Sequence, residues 1–426
     1  MNADDFPTPD VDVESVDPET LKDRIDAGED VTLLDARMQS DYEEWHIDGE
    51  NVTSINVPYF EFLEDDIDED ALAAVPDNRE VTVLCAKGGA SEFVAGTLVE
   101  RGYDVDHLED GMNGWASIYE AVEVERYDGA GTLLQYQRPS SGCLGYLLYD
   151  DGEAAIIDPL RAFTDRYLAD ADELGVELKY ALDTHIHADH VSGVRELAEF
   201  SGSSRAERSD GVRDMDDEGV EGVIPAAAVD RGVTYATSPT SQARQDADEL
   251  TTAADGDTFQ VGDATIEAVH TPGHTTGMTS YLVGDSLLAT GDGLFVESIA
   301  RPDLEEGNEG APDAARMLYE SLQERVLTLP DGTLVGGAHF SDAAEPAEDG
   351  TYTAPIGELV AEMDALTMDE DEFVDLILAD MPPRPANYED IIATNLGRNA
   401  VDDEEAFALE LGPNNCAASQ DSLAGD

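Results

Sequence analysis

Basic residues are scarce: 22 Lys plus Arg stand against 97 Asp plus Glu, a formal charge of −75 over 426 residues. Nucleic acid and anionic membrane are therefore excluded as expected partners, because their phosphates would be repelled. Cysteine is nearly absent, and Cys85, Cys143 and Cys416 do not make a disulfide framework. No apolar run approaches the roughly eighteen residues needed to cross a bilayer. The N-terminus MNADDFPTPDVDVESVDPET has neither the basic nor the apolar segment of a signal peptide. A soluble, cytoplasmic protein is expected. Histidine is also rare, at eight in the chain, so its placement carries information.

Enough apolar sequence is present to build real cores, at 41% of residues. Apolar strands and helices recur almost to the end, so the acidity does not signal disorder. The carboxylates are spread along the whole length, as on a protein working in a cytoplasm at molar salt, where screening quenches self-repulsion. A halophilic source is expected.

The pattern divides the chain. Residues 1–10 read as an acidic tail. From VTLLDAR (31–37) to GMNGW (111–115), short β-rich runs alternate with helical ones. VTVLC (81–85) reads as a buried strand and 92–102 as a helix, which predicts a parallel α/β domain over 11–121. Residues 122–128 read as a linker. A second α/β domain over 129–350 opens with a strand pair around Asp150-Asp151-Gly152, then a helix over 162–175 and a strand over 179–183. Residues 201–222 lack apolar periodicity and read as an acidic surface insertion. The stretch 351–426 reads as a helical extension packed on this second domain, with Asp369 and Glu372 spaced as a capping box.

Residues 184–190 are THIHADH. His185, His187, Asp189 and His190 cannot share one helical face, so they belong on a loop between strand 179–183 and helix 190–200. Burying four ionisable groups together is costly unless a cation organises them. His274 in HTPGHTTG, Asp292 in LLATGDG and His339 in GGAHFSD each sit in a turn just after an apolar strand. A lone histidine in a turn is ordinarily a surface group; strand-end placement at every member argues for a shared centre. The donors are all nitrogen and oxygen, which suits Zn(II), Fe(II) or Mn(II).

These residues resemble the metallo-β-lactamase superfamily, with its H-x-H-x-D-H signature and later His, Asp and His, over about residues 129–340. The resemblance implies an αββα sandwich with metals at one edge. It implies one site of His185, His187, His274 and bridging Asp292, and another of Asp189, His190, Asp292 and His339. IIDP before THIHADHVSG, with TPGHT, TGD and ARPD, is most similar to the persulfide dioxygenase branch. That branch implies one Fe(II) held by His185, His274 and Asp292, with open positions for oxygen and sulfur and the other four donors around it; Asp189 is also a candidate catalytic residue. The related glyoxalase II thioesterases imply a zinc hydrolase that uses all seven donors. The ligands alone do not choose. Arg301, in SIARPDL, is a candidate anchor for a substrate carboxylate, and equally a surface ion pair.

LCAKGGAS places Cys85 at the end of a buried strand, before a turn and a helix. Turn amides and the helix N-terminus lower a thiol's pKa and cradle a negatively charged sulfur. A buried structural cysteine is the commoner reading of a lone Cys, but Gly88-Gly89 directly after it favour a reactive one. CAKGGAS, LEDGMNGW and LLDARMQSDYEEWHIDG resemble the rhodanese family over about residues 11–121, with three additional residues before INVP. The resemblance implies a doubly wound domain whose Cys85 carries a persulfide, with Lys87, Gly88 and Gly89 binding its substrate. Ala90 stands where many members have Arg, which leaves the sulfur donor open. Cys143 reads as core, and Cys416 is assigned nothing.

The leading expectation is an enzyme that oxidises a low-molecular-weight thiol persulfide with O2 to sulfite, coupled to sulfurtransfer through Cys85. The alternative is a binuclear zinc thioesterase acting on a thioester, with an accessory rhodanese domain. A third reading, a sulfurtransferase fused to a metal-binding docking scaffold, predicts no metal-dependent turnover. Homo-oligomerisation is left open.

Overall fold

Apolar runs buried along their whole length, such as VTLLD and VTVL, suit the inner strands of a parallel sheet covered on both faces. The computed structural model describes residues 11–63, 67, 69–203, 219–239, 249–341, 343–379 and 381–412. The chain splits into two compact units, one reaching Ile118 and one running from Tyr119 to Glu410 apart from Arg138–Ser141. The tail 1–10, the stretch 204–218 and Cys416 lie outside the described residues.

The first unit is a parallel sheet of β1 (Glu14–Val16), β2 (Val31–Asp35), β3 (Val52–Asn56), β4 (Val81–Leu84) and β5 (Val105–Leu108), in the order β1-β5-β4-β2-β3. Its helices are α1 (Pro18–Asp26), α2 (Gln39–Glu44), α3 (Glu69–Ala74), α4 (Gly89–Val99) and α5 (Gly111–Ala116). Helix α4 begins three residues earlier than the apolar spacing suggested. Gly88, at φ 86, makes the sharp turn that lets the helix start at once.

The second unit has two sheets. One contains β6 (Glu120–Glu123), β7 (Thr132–Arg138), β8 (Cys143–Asp150), β9 (Glu153–Ile157), β10 (Glu177–Leu182), β11 (Glu221–Pro225), β12 (Thr237–Ser238) and β13 (Leu250–Ala253), ordered β12-β13-β11-β10-β9-β8-β7-β6. The other runs in chain order through β14 (Thr258–Val261), β15 (Ala264–His270), β16 (Thr279–Val283), β17 (Leu287–Gly291), β18 (Leu334–Gly337) and β19 (Ala354–Pro355). Leu148, Ile157 and Leu182 from the first sheet pack with Ile266, Tyr281 and Leu287 from the second, so the sheets lie face to face. On the outer face of the first sheet lie α6 (Thr164–Leu174) and α7 (Val194–Ser203), through Tyr167, Val194 and Leu197. The second sheet is covered by α8 (Gly307–Ser321), α9 (Ile356–Glu362) and α10 (Glu370–Ala379), through Leu318, Leu359 and Phe373. Two further helices, α11 (Tyr388–Asn395) and α12 (Asp403–Leu409), complete the unit. This is the αββα sandwich.

Three boundaries differ from the sequence reading. Residues 122–128 are not a free linker, because β6 pairs antiparallel with β7. The stretch 201–222 is not all insertion: Val220 is buried and Glu221 opens β11. A charged residue at the head of a short strand hides that strand from a periodicity count. The segment after 350 supplies an edge strand and part of the second helical layer, so it belongs to the sandwich itself. The hairpin at Asp150 has the form read from sequence, with Asp151 at φ 45 and Gly152 at φ 84 in the turn. Asp369 caps α10, accepting from the Glu372 amide at 3.1 Å.

Candidate metal centre

Strand direction brings the donors together. β9 and β10 are parallel, so Asp158 and the loop after Leu182 leave the first sheet at the same edge. β8 is antiparallel to β9, so Cys143 at its start lies at that edge too. In the second sheet β15, β17 and β18 run the same way, and His274, Asp292 and His339 follow their ends. Backbone bonds from Leu144 to Ala338 (2.7 Å) and from Phe340 to Gly142 (2.9 Å) join the two edges.

His185, His274 and Asp292 converge with their ligating atoms within 4.8 Å of one another. Nε2 of His185 lies 3.6 Å, and Nε2 of His274 3.5 Å, from Asp292 Oδ2. All three atoms are buried without a hydrogen-bond partner. Their far sides are occupied. The Thr184 hydroxyl donates to Asp158 (2.9 Å), so it accepts from His185 Nδ1 at 2.9 Å. His274 Nδ1 donates to the Arg301 carbonyl at 2.9 Å, and His339 Nδ1 donates to Asp292 Oδ1 at 2.6 Å. Each donor is thus held in the tautomer or ionisation state that turns a lone pair inward.

Electrostatics agree. Burial, with a contribution from His187, pushes His185 down to about 4, and burial lowers His274 as well. Burial alone would raise Asp292, but the facing His339 and His185 more than reverse it, holding that carboxyl well below the usual range. Two neutral imidazoles and one carboxylate face one point, a two-His-one-carboxylate set that fits a divalent cation.

The other four predicted ligands are arranged differently. His187 turns away: its Nε2 lies 3.2 Å from Asp158 and 3.6 Å from Asp183. Burial opposes its protonation, yet those two carboxylates lift it to about 9. His187 groups with Asp158 and Asp183 rather than with His185 and His274, although both its ring nitrogens, like the inward atoms of the three-donor set, are buried without a hydrogen-bond partner. Asp189 Oδ2 accepts from His190 Nδ1 (2.9 Å), His339 Nε2 (2.8 Å) and Cys143 Sγ (3.2 Å). Cys143 is accordingly not plain core. It is 1% exposed and sits in a second buried donor group with Asp189, His190 and His339. The reversal of β8 could have placed it there; composition could not.

Arg301 is corrected too. It is 1% exposed, and its guanidinium binds Asp303 (2.8 and 3.2 Å) and the carbonyls of Pro382 and Pro383, so it is spent on the fold rather than held for a substrate. Its link to the centre is the backbone carbonyl that orients His274. Burial would raise the Asp303 carboxyl, but Arg301 and Arg384 hold it below the usual range. This pair adds stability above the unfolded carboxylate value near 3.9, and loses it as pH falls through the lower folded value. Asp303→Asn should therefore flatten the acid side of a stability profile, read by urea unfolding in molar KCl between about pH 5 and pH 2.

The loop also leans on residues that sequence reasoning missed. Asp158 accepts from the Thr184 amide at 2.7 Å, and Asp183 accepts from the Ser192 hydroxyl at 2.9 and 2.7 Å. Asn395 and Glu410, from the far end of the chain, bond the loop backbone. A buried backbone group left unpaired costs roughly 1–3 kcal/mol, so these contacts decide whether the loop holds its shape.

In the first unit Cys85 directly follows β4, 5% exposed, with Sγ 3.4 Å from Ser91 Oγ. Ser91 in turn bonds the Gly88 carbonyl at 2.8 Å. The turn between strand and helix is shorter than expected, and Gly89 and Ala90 already open α4. Lys87 is exposed. Amides of Met112 and Asn113 bond the carbonyls of Cys85 and Ala86, so α5 closes the loop from below. A Cβ on Gly111 would lie 2.1 Å from the Cys85 carbonyl oxygen, and its φ is +57. Only glycine fits there.

Comparison with known proteins agrees with this anatomy. The metallo-beta-lactamase superfamily model matches residues 140–339, and the rhodanese-like domain model matches residues 17–118. The chain is 33% identical over 215 residues to bovine "Persulfide dioxygenase ETHE1, mitochondrial", covering 50% of this chain and 69% of that protein. It is 31% identical over 226 residues to a probable metallo-hydrolase of Burkholderia pseudomallei, covering 47% and 69%. A solved metallo-beta-lactamase from Staphylococcus aureus superposes with a TM-score of 0.50 at 23% identity, over 64% of this chain and 74% of that one, and shares the fold. Among the described residues no helix is long and apolar enough to cross a membrane. The chain is an enzyme of the metallo-beta-lactamase superfamily, a relative of the persulfide dioxygenases that carries a rhodanese-like domain ahead of its metal centre.

Proposed function

We propose that the chain oxidises a low-molecular-weight thiol persulfide to sulfite, with Fe(II) held by His185, His274 and Asp292, and that Cys85 passes sulfane sulfur to or from that substrate. The observation that carries this reading is the separation of donors. Three deprotonated ones meet at a single point, while His187 Nε2 lies toward Asp158 and Asp183, 3.2 and 3.6 Å away. The likeness to the bovine persulfide dioxygenase supports the same choice. The overall change is R–S–SH + O2 + H2O → R–SH + SO3(2−) + 2 H+.

Bound there, Fe(II) would supply open coordination positions and the one-electron steps by which O2 attacks sulfur. The protein's share is positional. Thr184 and the Arg301 carbonyl fix the imidazole tautomers. The Asp292–His339–Asp189 chain, with links of 2.6 and 2.8 Å, orients Asp292 and would keep it ionised beside the substrate. In the rhodanese-like unit the Cys85 thiolate accepts the outer sulfur, Cys–S(−) + R–S–SH → Cys–S–S(−) + R–SH. The amides around Gly88 and Gly89 would face that charge, with the exposed Lys87 in the same loop.

The test is O2 uptake by iron-loaded protein with a thiol persulfide in molar KCl, with sulfite measured as product. Uptake at one iron per chain is expected. Two zinc ions per chain with thioester turnover and no O2 uptake would instead assign the binuclear hydrolase.

A further inference from the structure

The ligand loop has no helix or strand of its own between Leu182 and Val194, and every residue in it is buried. Being buried and outside any continuous ladder, apart from an isolated bridge between Leu160 and Ser192, its N–H and C=O groups must find specific partners. The first residues use the sheets: the Asp183 amide bonds Val223, and the Thr184 carbonyl accepts from Thr279. Beyond His185 the Val191 carbonyl and the Gly193 amide bond the backbone of Arg161 and Pro159, and side chains from elsewhere supply further partners. Arg231 reaches the Ile186 carbonyl at 3.4 Å. The Asn395 amide group donates to the carbonyls of His187 (3.0 Å) and His190 (2.8 Å) and accepts from the Ser192 amide (2.9 Å). Glu410 accepts from the Val191 amide at 2.9 Å.

We infer that Asn395, assisted by Glu410, is the positioning residue of the metal centre: the last two helices set the curvature of the loop and with it the direction of the His185 ring. Asn395 has one acceptor and two donor hydrogens, and all three are used. Its orientation is fixed, since a flipped amide would set oxygen against two carbonyls. It is 5% exposed and Glu410 is 6% exposed. The end of α11 is held in place independently, because Arg195 bonds the Thr394 carbonyl at 3.0 Å and the Thr234 amide bonds the Leu396 carbonyl at 2.9 Å. The three bonds span a stretch that begins two residues after His185 and includes Asp189 and His190. Losing them frees that stretch without removing a ligand.

The inference rests on the metal-binding reading of the centre and not on the reaction that follows. Its test uses the full chain, Co(II) and Zn(II) as the probes, and the variants Asn395→Asp and Glu410→Gln. Asn395→Asp keeps the acceptor for Ser192 but loses both donors. Affinity measured against a competing chelator should fall by about tenfold or more, within the range seen when residues supporting a ligand are changed. The visible Co(II) spectrum should shift as the imidazole geometry relaxes. Glu410→Gln, which keeps an acceptor for the Val191 amide but loses its charge, should weaken affinity in the same direction and by less than Asn395→Asp. A merely structural role would lower the melting temperature of the apoprotein while leaving affinity and spectrum unchanged, and that result overturns the inference. If Asn395→Asp does not fold, Asn395→Gln and Glu410→Ala bear the same comparison. A parent chain that binds neither metal defeats the metal-binding reading, whereas a parent and an Asn395→Asp chain that bind equally well defeat only this proposal.

Discussion

His185→Ala is expected to empty the centre. Changing a residue that supports a ligand costs about 10- to 100-fold in affinity, and removing one of three ligands should exceed that. O2 uptake should vanish with the metal, while the unit stays folded, because the ring makes one hydrogen bond, to Thr184. The control is His187→Gln, two positions away on the same loop. Its ring faces Asp158 and Asp183, so metal should largely remain. The fold should suffer instead, since removing the cation from a buried pair typically costs about 3–5 kcal/mol. Metal content after dialysis and urea unfolding of the apoprotein read the two effects separately. If His187→Gln loses metal as completely as His185→Ala, His187 is a ligand and the binuclear arrangement returns.

Cys85→Ser should abolish sulfurtransfer, by on the order of a thousandfold or more, as loss of a nucleophile does. The loop should survive. Serine matches cysteine in shape, and the loop is built on the bonds from Met112 and Asn113 and on the glycine at 111 rather than on the sulfur. Metal content and O2 uptake with a small persulfide should stay within about twofold, since Cys85 does not belong to any of the donor groups of the centre. Mass spectrometry gives an independent reading: parent protein incubated with persulfide should gain one sulfur atom on Cys85, and the variant none there. Undiminished transfer by Cys85→Ser would move the carrier role to another group.

Much of this was legible in the chain. Short-range spacing marks the donors, since a turn after an apolar strand is a local event and THIHADH cannot be helical while offering its side chains to one point. The same holds for the hairpin at Asp150 and the Asp369 cap, where two to four residues decide the outcome. Arg301 shows the limit. Its five donors suit a substrate carboxylate or Asp303 equally well, and only the folded neighbourhood reveals that Asp303, Pro382 and Pro383 take them. Cys143 shows the same limit in reverse, an apolar context in sequence and a polar group in space.

The sequence by itself determined the inventory: an acidic surface, two α/β units, a cysteine loop, and seven N and O donors at strand ends. The tertiary structure alone decided how those donors are shared, with three gathered at one point, His187 facing Asp158 and Asp183, and Asn395 closing a loop some two hundred positions upstream. The reason is range. Spacing along the chain fixes which side chains leave a turn, but a lone pair's direction depends on what bonds the other side of the ring, and those partners come from strands and helices that only folding makes neighbours.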